Sequence, residues 1–176
     1  LLTGSSSRPF ALLAREGTGT LEVLLGDVVD VELLADIPLV DASGTPLEVL
    51  ALVPFRQVRE RGFESHDDGE PLRCLIVRER EEVPLAVAMA ALPHDEVPLH
   101  DGHFDVSDDD YAQTVRDVIQ NEIGRGEGAN FVIRRDFTAR VDADPRTAAL
   151  SWLHALLTHE RGAYWTFAIV SDGLVT

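Results

Sequence analysis

At 176 residues, with 45% hydrophobic and 26% charged residues, the chain has ordinary globular composition and enough length for a real core, which excludes wholesale disorder. Its 15 basic and 31 acidic residues leave a net charge of −16, a field that repels nucleic acid and anionic membranes. All the basic residues are arginine, so a Schiff-base lysine, a P-loop lysine and a lysine general base are excluded within the chain.

The start, LLTGSSSR, has neither an initiator Met nor a basic n-region and reads as a flexible lead over residues 1–8, not a signal peptide. Residues 10–31 place two apolar runs around a Gly/Thr turn and predict a β-hairpin. Residues 30–35 have the alternative of starting a short helical turn, and 41–46 are a loop. A strand follows over 47–55, then a turn or helical stub over 56–62. Another strand is predicted over 72–77, after the turn HDDGEP. The one cysteine, Cys74, lies in the apolar run LRCLIV and has no partner for an internal disulfide, so a buried core role and a reducing cytoplasm are expected.

Residues 83–92, with Pro84 at an N1-like position and several alanines, predict a short helix. Residues 93–105 are a loop rich in His and Asp. Ser107 precedes the acidic turn Asp108, Asp109, Asp110, an arrangement that caps a helix and suits the positive end of its dipole. Tyr111, Val115, Val118, Ile119 and Ile123 recur at helical spacing. Gly124 is expected to stop this helix, Gly126 and Gly128 to make a turn, and residues 130–133 to form a buried strand continued by 137–141. Asp144 and Pro145 open a helix to about residue 160, with Ala149, Leu153, Leu156 and Leu157 on one side and Trp152 beside them. Gly162 ends it. Residues 163–170 are a strand, 171–173 a hairpin turn, and Leu174, Val175 and Thr176 begin a return strand. No run of about 18 apolar residues is present, so no membrane span is expected. A chain that stops early in a strand leaves an open edge, and with the missing Met this predicts an amino-terminal fragment whose one domain covers 9–176.

The order helix, glycine turn, strand carries a resemblance. Residues 126–137, GEGANFVIRRDF, follow the frame G-x-x-x-Q-V-V-L-S-x-R-F of the chorismate-utilising enzymes: Gly126, Val132 and Phe137 match, Ile133 replaces leucine, and Asn130 stands in the place of glutamine. With PFRQVRERGF and HDDG upstream and GAYWTF downstream, the chain most resembles the 2-amino-2-deoxyisochorismate synthases of phenazine and enediyne biosynthesis. The resemblance implies an enzyme that binds chorismate and Mg²⁺ and takes ammonia from a glutamine amidotransferase, fused or separate. It allows a homodimer. It also implies that the metal ligands and most substrate contacts lie beyond Thr176, so the chain alone is expected to be inactive.

Within the frame, members that add water carry a lysine at the position of Asn130 and members that add ammonia an uncharged amide. Asn130 therefore points to ammonia, which attacks without a general base. Its alternative role is to satisfy backbone groups beside the glycine turn. Arg134 and Arg135 each offer a fork to a substrate carboxylate; strand alternation puts them on opposite faces and parity with Asn130 picks Arg134, unless it is a solvated strand end. His94, His100 and His103 with Asp95, Asp101 and Asp105 match no standard zinc spacing and read as a solvated acidic loop, and no metal ligand is assigned. HDDG reads as Asx-turn chemistry. Trp152, Tyr164 and Trp165 are expected in the core.

The fold expected is α+β, an antiparallel-rich sheet with helices packed on one face; the resemblance adds a sandwich-like core with helices outside. A second reading is a ligand-binding or regulatory module. Anthranilate synthases hold a tryptophan feedback site with an LLES-like motif, but here LLES is absent and the nearest strings are VELLAD and LEVLLG, so tryptophan inhibition is not expected. A cytoplasmic scaffold without ligand is the remaining alternative.

Overall fold

The computed structural model describes residues 8–160, 164–171 and 173–176. The expected flexible lead over 1–8 lies outside them except for Arg8, as do Gly162 and Asp172. The chain divides into two compact units, Leu1–Glu96 with Asp144–Thr176, and Val97–Ala143.

The first unit is a six-stranded antiparallel sheet, as the α+β reading expected, in the order β3 (Val49–Leu52), β4 (Leu72–Pro84), β2 (Thr20–Val31), β1 (Phe10–Arg15), β7 (Trp165–Ser171), β8 (Leu174–Val175). Strand β1 (Phe10–Arg15) sits inside it, pairing β2 (Thr20–Val31) from Phe10↔Leu25 to Ala14↔Leu21 and β7 (Trp165–Ser171) from Phe10↔Val170 to Arg15↔Trp165. Burial on both faces explains why β1 is an unbroken apolar run where a half-exposed strand would alternate. The β1–β2 turn uses Gly17 and Gly19, both at positive φ, and the Thr18 hydroxyl donates to the Arg15 carbonyl at 3.0 Å.

Phe10, Leu12, Ala14, Leu21, Val23, Leu25, Ala168 and Val170 face the helices α1 (Leu85–Ala91) and α3 (Pro145–His159), which contribute Ala88, Ala149, Leu150 and Leu153. On the opposite face Ala11, Leu13, Leu24, Leu75 and Ile169 form a second cluster, over which the sheet curls to bring in Leu50 and Leu52 of β3 (Val49–Leu52). The curl begins at a bulge where Leu25 pairs Glu79 but Gly26 pairs Val77. A Cβ on Gly26 would lie 1.9 Å from the Ile76 carbonyl oxygen, so this approach requires glycine.

The expected strand over 72–77 is longer. Strand β4 runs Leu72–Pro84, its charged second half laddered on β2 and paired through Arg8–Glu79, Arg80–Glu22 and Arg80–Glu48. Pro84 is consequently the last strand residue and the N-cap of α1 instead of its first helical residue. The core expected for the aromatic residues is corrected as well. Tyr164 is 84% and Trp165 50% exposed, and Trp152 and Leu156 are exposed on α3. Alternation along β7 turns Trp165 and Phe167 away from the helices, towards the part of the face that the curl does not reach.

In the second unit, β5 (Leu99–Phe104) pairs β6 (Phe137–Val141) antiparallel, with an irregularity between His100 and His103 where Asp101 has φ of 56°. The expected His/Asp loop therefore contains a strand, hidden because all its side chains are exposed and no alternation marks it. Helix α2 (Asp108–Asp117) continues through a π-turn (Val118–Glu122) and a 3₁₀ turn (Ile123–Arg125), and ends at the left-handed Gly126 (φ 82°) instead of Gly124. Residues 130–133 are not a buried strand. They have no ladder partner, and Val132 is 94% exposed. An apolar run alone does not make a strand; a neighbour with free backbone groups must lie alongside it.

Candidate functional site

The residues singled out by sequence lie between α2 and β6. Ser107 Oγ accepts from the Asp110 amide at 3.2 Å and donates to Asp110 Oδ2 at 2.7 Å, fixing the first turn of α2. Tyr111, Val115 and Val118 are half-buried along one side of the helix, while Ile119 and Ile123 are exposed. After the turn at Gly126, residues 130–136 run without a ladder and are held by side chains and by one backbone bond at Asp136. The Tyr111 hydroxyl donates to the Ile133 carbonyl at 3.3 Å. Arg135 Nε donates to the Val106 carbonyl at 3.0 Å, and its Nη2 pairs with Asp108. The Arg135 guanidinium lies 3.8 Å from the centre of the Phe104 ring and 5.5 Å from that of Tyr111. Phe104 meets Phe137 edge-on at 5.2 Å. The Asp136 amide donates to Asp105 Oδ1 at 3.0 Å, and the Asp105 amide to the Asp136 carbonyl at 3.0 Å.

Asn130 stands at the start of this segment, exposed, with no side-chain hydrogen bond among the described residues. Arg134 is exposed and forked onto Asp136, with Nε to Oδ1 at 2.9 Å and Nη2 to Oδ2. The Arg134 hydrogen bond holds the Asp136 carboxyl below the usual carboxylate range, and the same bond raises Arg134. Strand parity does not relate Asn130 to Arg134, because no strand joins them. Arg135, which alternation set aside, is the better anchored arginine, its side chain 18% exposed against 83% for Arg134. Only the absence of a strand brings out its role.

The histidines do not converge. His103 Nδ1 is 2.9 Å from the Asp101 carbonyl, His100 Nε2 is 3.6 Å from Asp142, and His94 belongs to the first unit, its ring 5.6 Å from that of His154. Among the described residues no three His, Cys, Asp or Glu side chains gather in a form that could hold a metal ion. HDDG is an Asx turn: Asp67 Oδ1 accepts from the Gly69 amide at 3.0 Å, and Asp67 pairs Arg59 and Arg56 of the upstream PFRQVRERGF segment. Cys74 is fully buried; burial, and after it the Asp30 carboxylate, pushes its thiol up. One feature was invisible in sequence. A cleft of about 450 Å³ opens at the end of the first unit's sheet, lined by Leu52, Pro54, Pro71, Arg73 and Leu174, with Arg73 forked onto Asp30.

No family model matches the chain. It is 47% identical over 166 residues to the phenazine-specific anthranilate synthase of Pseudomonas chlororaphis, and 45% identical over the same length to that of Pseudomonas fluorescens. Each alignment covers 92% of this chain and 26% of the relative. The chain is their homologue. The resemblance read from GEGANFVIRRDF to the chorismate-utilising enzymes and their phenazine branch is thereby borne out. The chain spans about a quarter of the length of these curated relatives. Among the described residues no helix is long and apolar enough to cross a membrane.

Proposed function

We infer that this chain is part of a cytoplasmic chorismate-aminating enzyme. Ammonia bonds to C2 of chorismate, both ring double bonds shift, from C1=C2 to C1=C6 and from C5=C6 to C4=C5, the C4 hydroxyl leaves, and the proton lost by nitrogen completes a molecule of water. The product is 2-amino-2-deoxyisochorismate, or anthranilate where pyruvate is then eliminated. The observation that carries the reading is the 45–47% identity to phenazine-specific anthranilate synthases over 92% of the chain. Ammonia is supplied by a glutamine amidotransferase domain or subunit, and a homodimer is compatible with this assignment.

Asn130 is proposed on the nucleophile side. An amide hydrogen-bonds ammonia without deprotonating it, whereas water would need a base. Arg134 is proposed to exchange its Asp136 partner for a substrate carboxylate, which its planar fork suits equally well. Mg²⁺ is the hard cation such chemistry calls for, and its ligands are proposed to lie beyond Thr176, as the resemblance implies.

The test is direct. The enzyme carrying this chain consumes chorismate with glutamine or ammonium and releases an aminated product identified by mass; a chorismate pool left intact refutes the assignment. Asn130→Lys in that enzyme lowers ammonia-dependent turnover, and unchanged kinetics would return Asn130 to a structural role. The 176-residue chain alone, given chorismate, ammonium and Mg²⁺, forms no product.

A second reading, a ligand-binding module, is favoured by the cleft at Arg73, whose volume of about 450 Å³ suits an amino-acid-sized ligand. Calorimetric titration with tryptophan separates the two, and saturable heat would move the chain towards a regulated anthranilate synthase.

A further inference from the structure

We propose that Arg135 and Tyr111 form a clamp that positions residues 130–134, and through them the Asn130 amide, for the incoming nucleophile. The proposal rests on the aminating function inferred above and adds two positioning residues to it. Neither is assigned contact with substrate.

Residues 130–135 lack the backbone ladder that orders the strands of the sheet, so their geometry has to come from side chains. Arg135 does three things at once. It donates to the Val106 carbonyl just before α2, pairs with Asp108 in the first turn of α2, and lies over the Phe104 ring of β5 at 3.8 Å from its centre. A planar guanidinium with a fixed fork meets all three requirements, and a lysine ammonium cannot. Tyr111, one turn into α2, reaches the Ile133 carbonyl and presents its ring to the same guanidinium. The segment is thus tied at Ile133 and Arg135 to a helix whose own first turn is fixed by Ser107. Asn130 lies three residues from the first tie, close enough in the chain for the tie to limit its excursions.

Two measurements test this. In the ¹⁵N-labelled chain, backbone order parameters of residues 130–136 fall from the rigid range towards about 0.6 in Arg135→Gln and, less steeply, in Tyr111→Phe. In the enzyme carrying the chain, the same variants lower kcat/KM for ammonia about tenfold, chiefly through KM for ammonia, with KM for chorismate and the melting temperature little changed. The double variant is less than additive, because both ties hold one segment. Tyr111→Phe keeps the ring and therefore reports on the hydroxyl tie even if Arg135→Gln misfolds.

Unchanged order parameters overturn the clamp. Lower order with unchanged ammonia kinetics overturns its positioning role while leaving the aminating function intact. An unmodified enzyme that does not consume chorismate overturns the function itself and the positioning role with it.

Discussion

Gly26→Ala tests the reasoning behind the curled sheet. The added methyl would sit 1.9 Å from the Ile76 carbonyl oxygen, 2.8 Å from its carbon and 3.2 Å from Leu75 Cδ1. Two of these are backbone atoms in the longest ladder of the sheet, so relief requires β2 and β4 to separate where the bulge starts the curl. Overpacking in a tight core costs about 1–3 kcal/mol, and a clash against backbone belongs at the upper end. About 3 kcal/mol, at about 2–4 °C per kcal/mol for a chain of this size, lowers the melting temperature by about 6–12 °C. Gly128→Ala is the control. Its methyl would meet only the far end of the Phe131 ring, at 2.9 Å, and that exposed ring is free to swing away. Thermal unfolding followed by circular dichroism compares the two. A Gly26→Ala protein melting within about 2 °C of the parent would refute the close-approach account of the curl.

Leu12→Ala, at a side chain 1% exposed in the helix-facing core, should cost about 2–5 kcal/mol in urea unfolding. Glu22 is buried and accepts from Arg15 Nε at 2.8 Å and Arg80 Nη2 at 2.9 Å. Glu22→Ala leaves both arginines without this partner and should cost about 1–2 kcal/mol, less than a fully buried pair because the arginines are partly exposed and screened. Asp144 caps α3 by accepting from the Thr147 amide at 3.0 Å, and that bond holds its carboxyl below the ordinary 3.8. A depressed folded value means the cap's stabilisation is full above about pH 4 and lost as pH falls through the folded value. Asp144→Asn should therefore reduce the difference between melting temperatures at about pH 6 and about pH 3. An undiminished difference would remove Asp144 from the acid response.

How far the fold was legible depends on where the apolar side chains sit. Phe10–Arg15 reads as a strand because both faces are buried, and the alanines and leucines of α3 read as a helix because one side packs on the sheet. The second half of β4 was illegible because Arg78, Glu79, Arg80, Glu81 and Glu82 carry no apolar alternation; their ladder to β2 and their ion pairs hold them. Strand β5 was hidden for the same reason. The opposite error fell on Phe131, Val132 and Ile133, whose apolar run promised a strand that has no neighbour to pair with. In the candidate site Asn130 was reachable from the family frame, whereas Arg135 was set aside by a strand parity that does not exist. Its role follows from contacts with residues about 30 positions earlier, a relation that sequence spacing does not carry.

The two units therefore hold their geometry by different means. The sheet unit buries two apolar clusters, and its order follows from area removed from water. No residue in 97–143 is buried, so the segment carrying Asn130 and Arg134 depends on a few polar ties worth about 0.5–1.5 kcal/mol each, somewhat more where a charge takes part. Ordering a backbone costs about 1–2 kcal/mol per residue, so residues 130–136 have no stabilisation to spare and depend on every tie. Such a segment is set by whichever contacts are added to it, and loss of one tie is felt along its whole length. That dependence makes a single hydroxyl, on Tyr111, a sensitive place to perturb the geometry at Asn130 without disturbing the sheet.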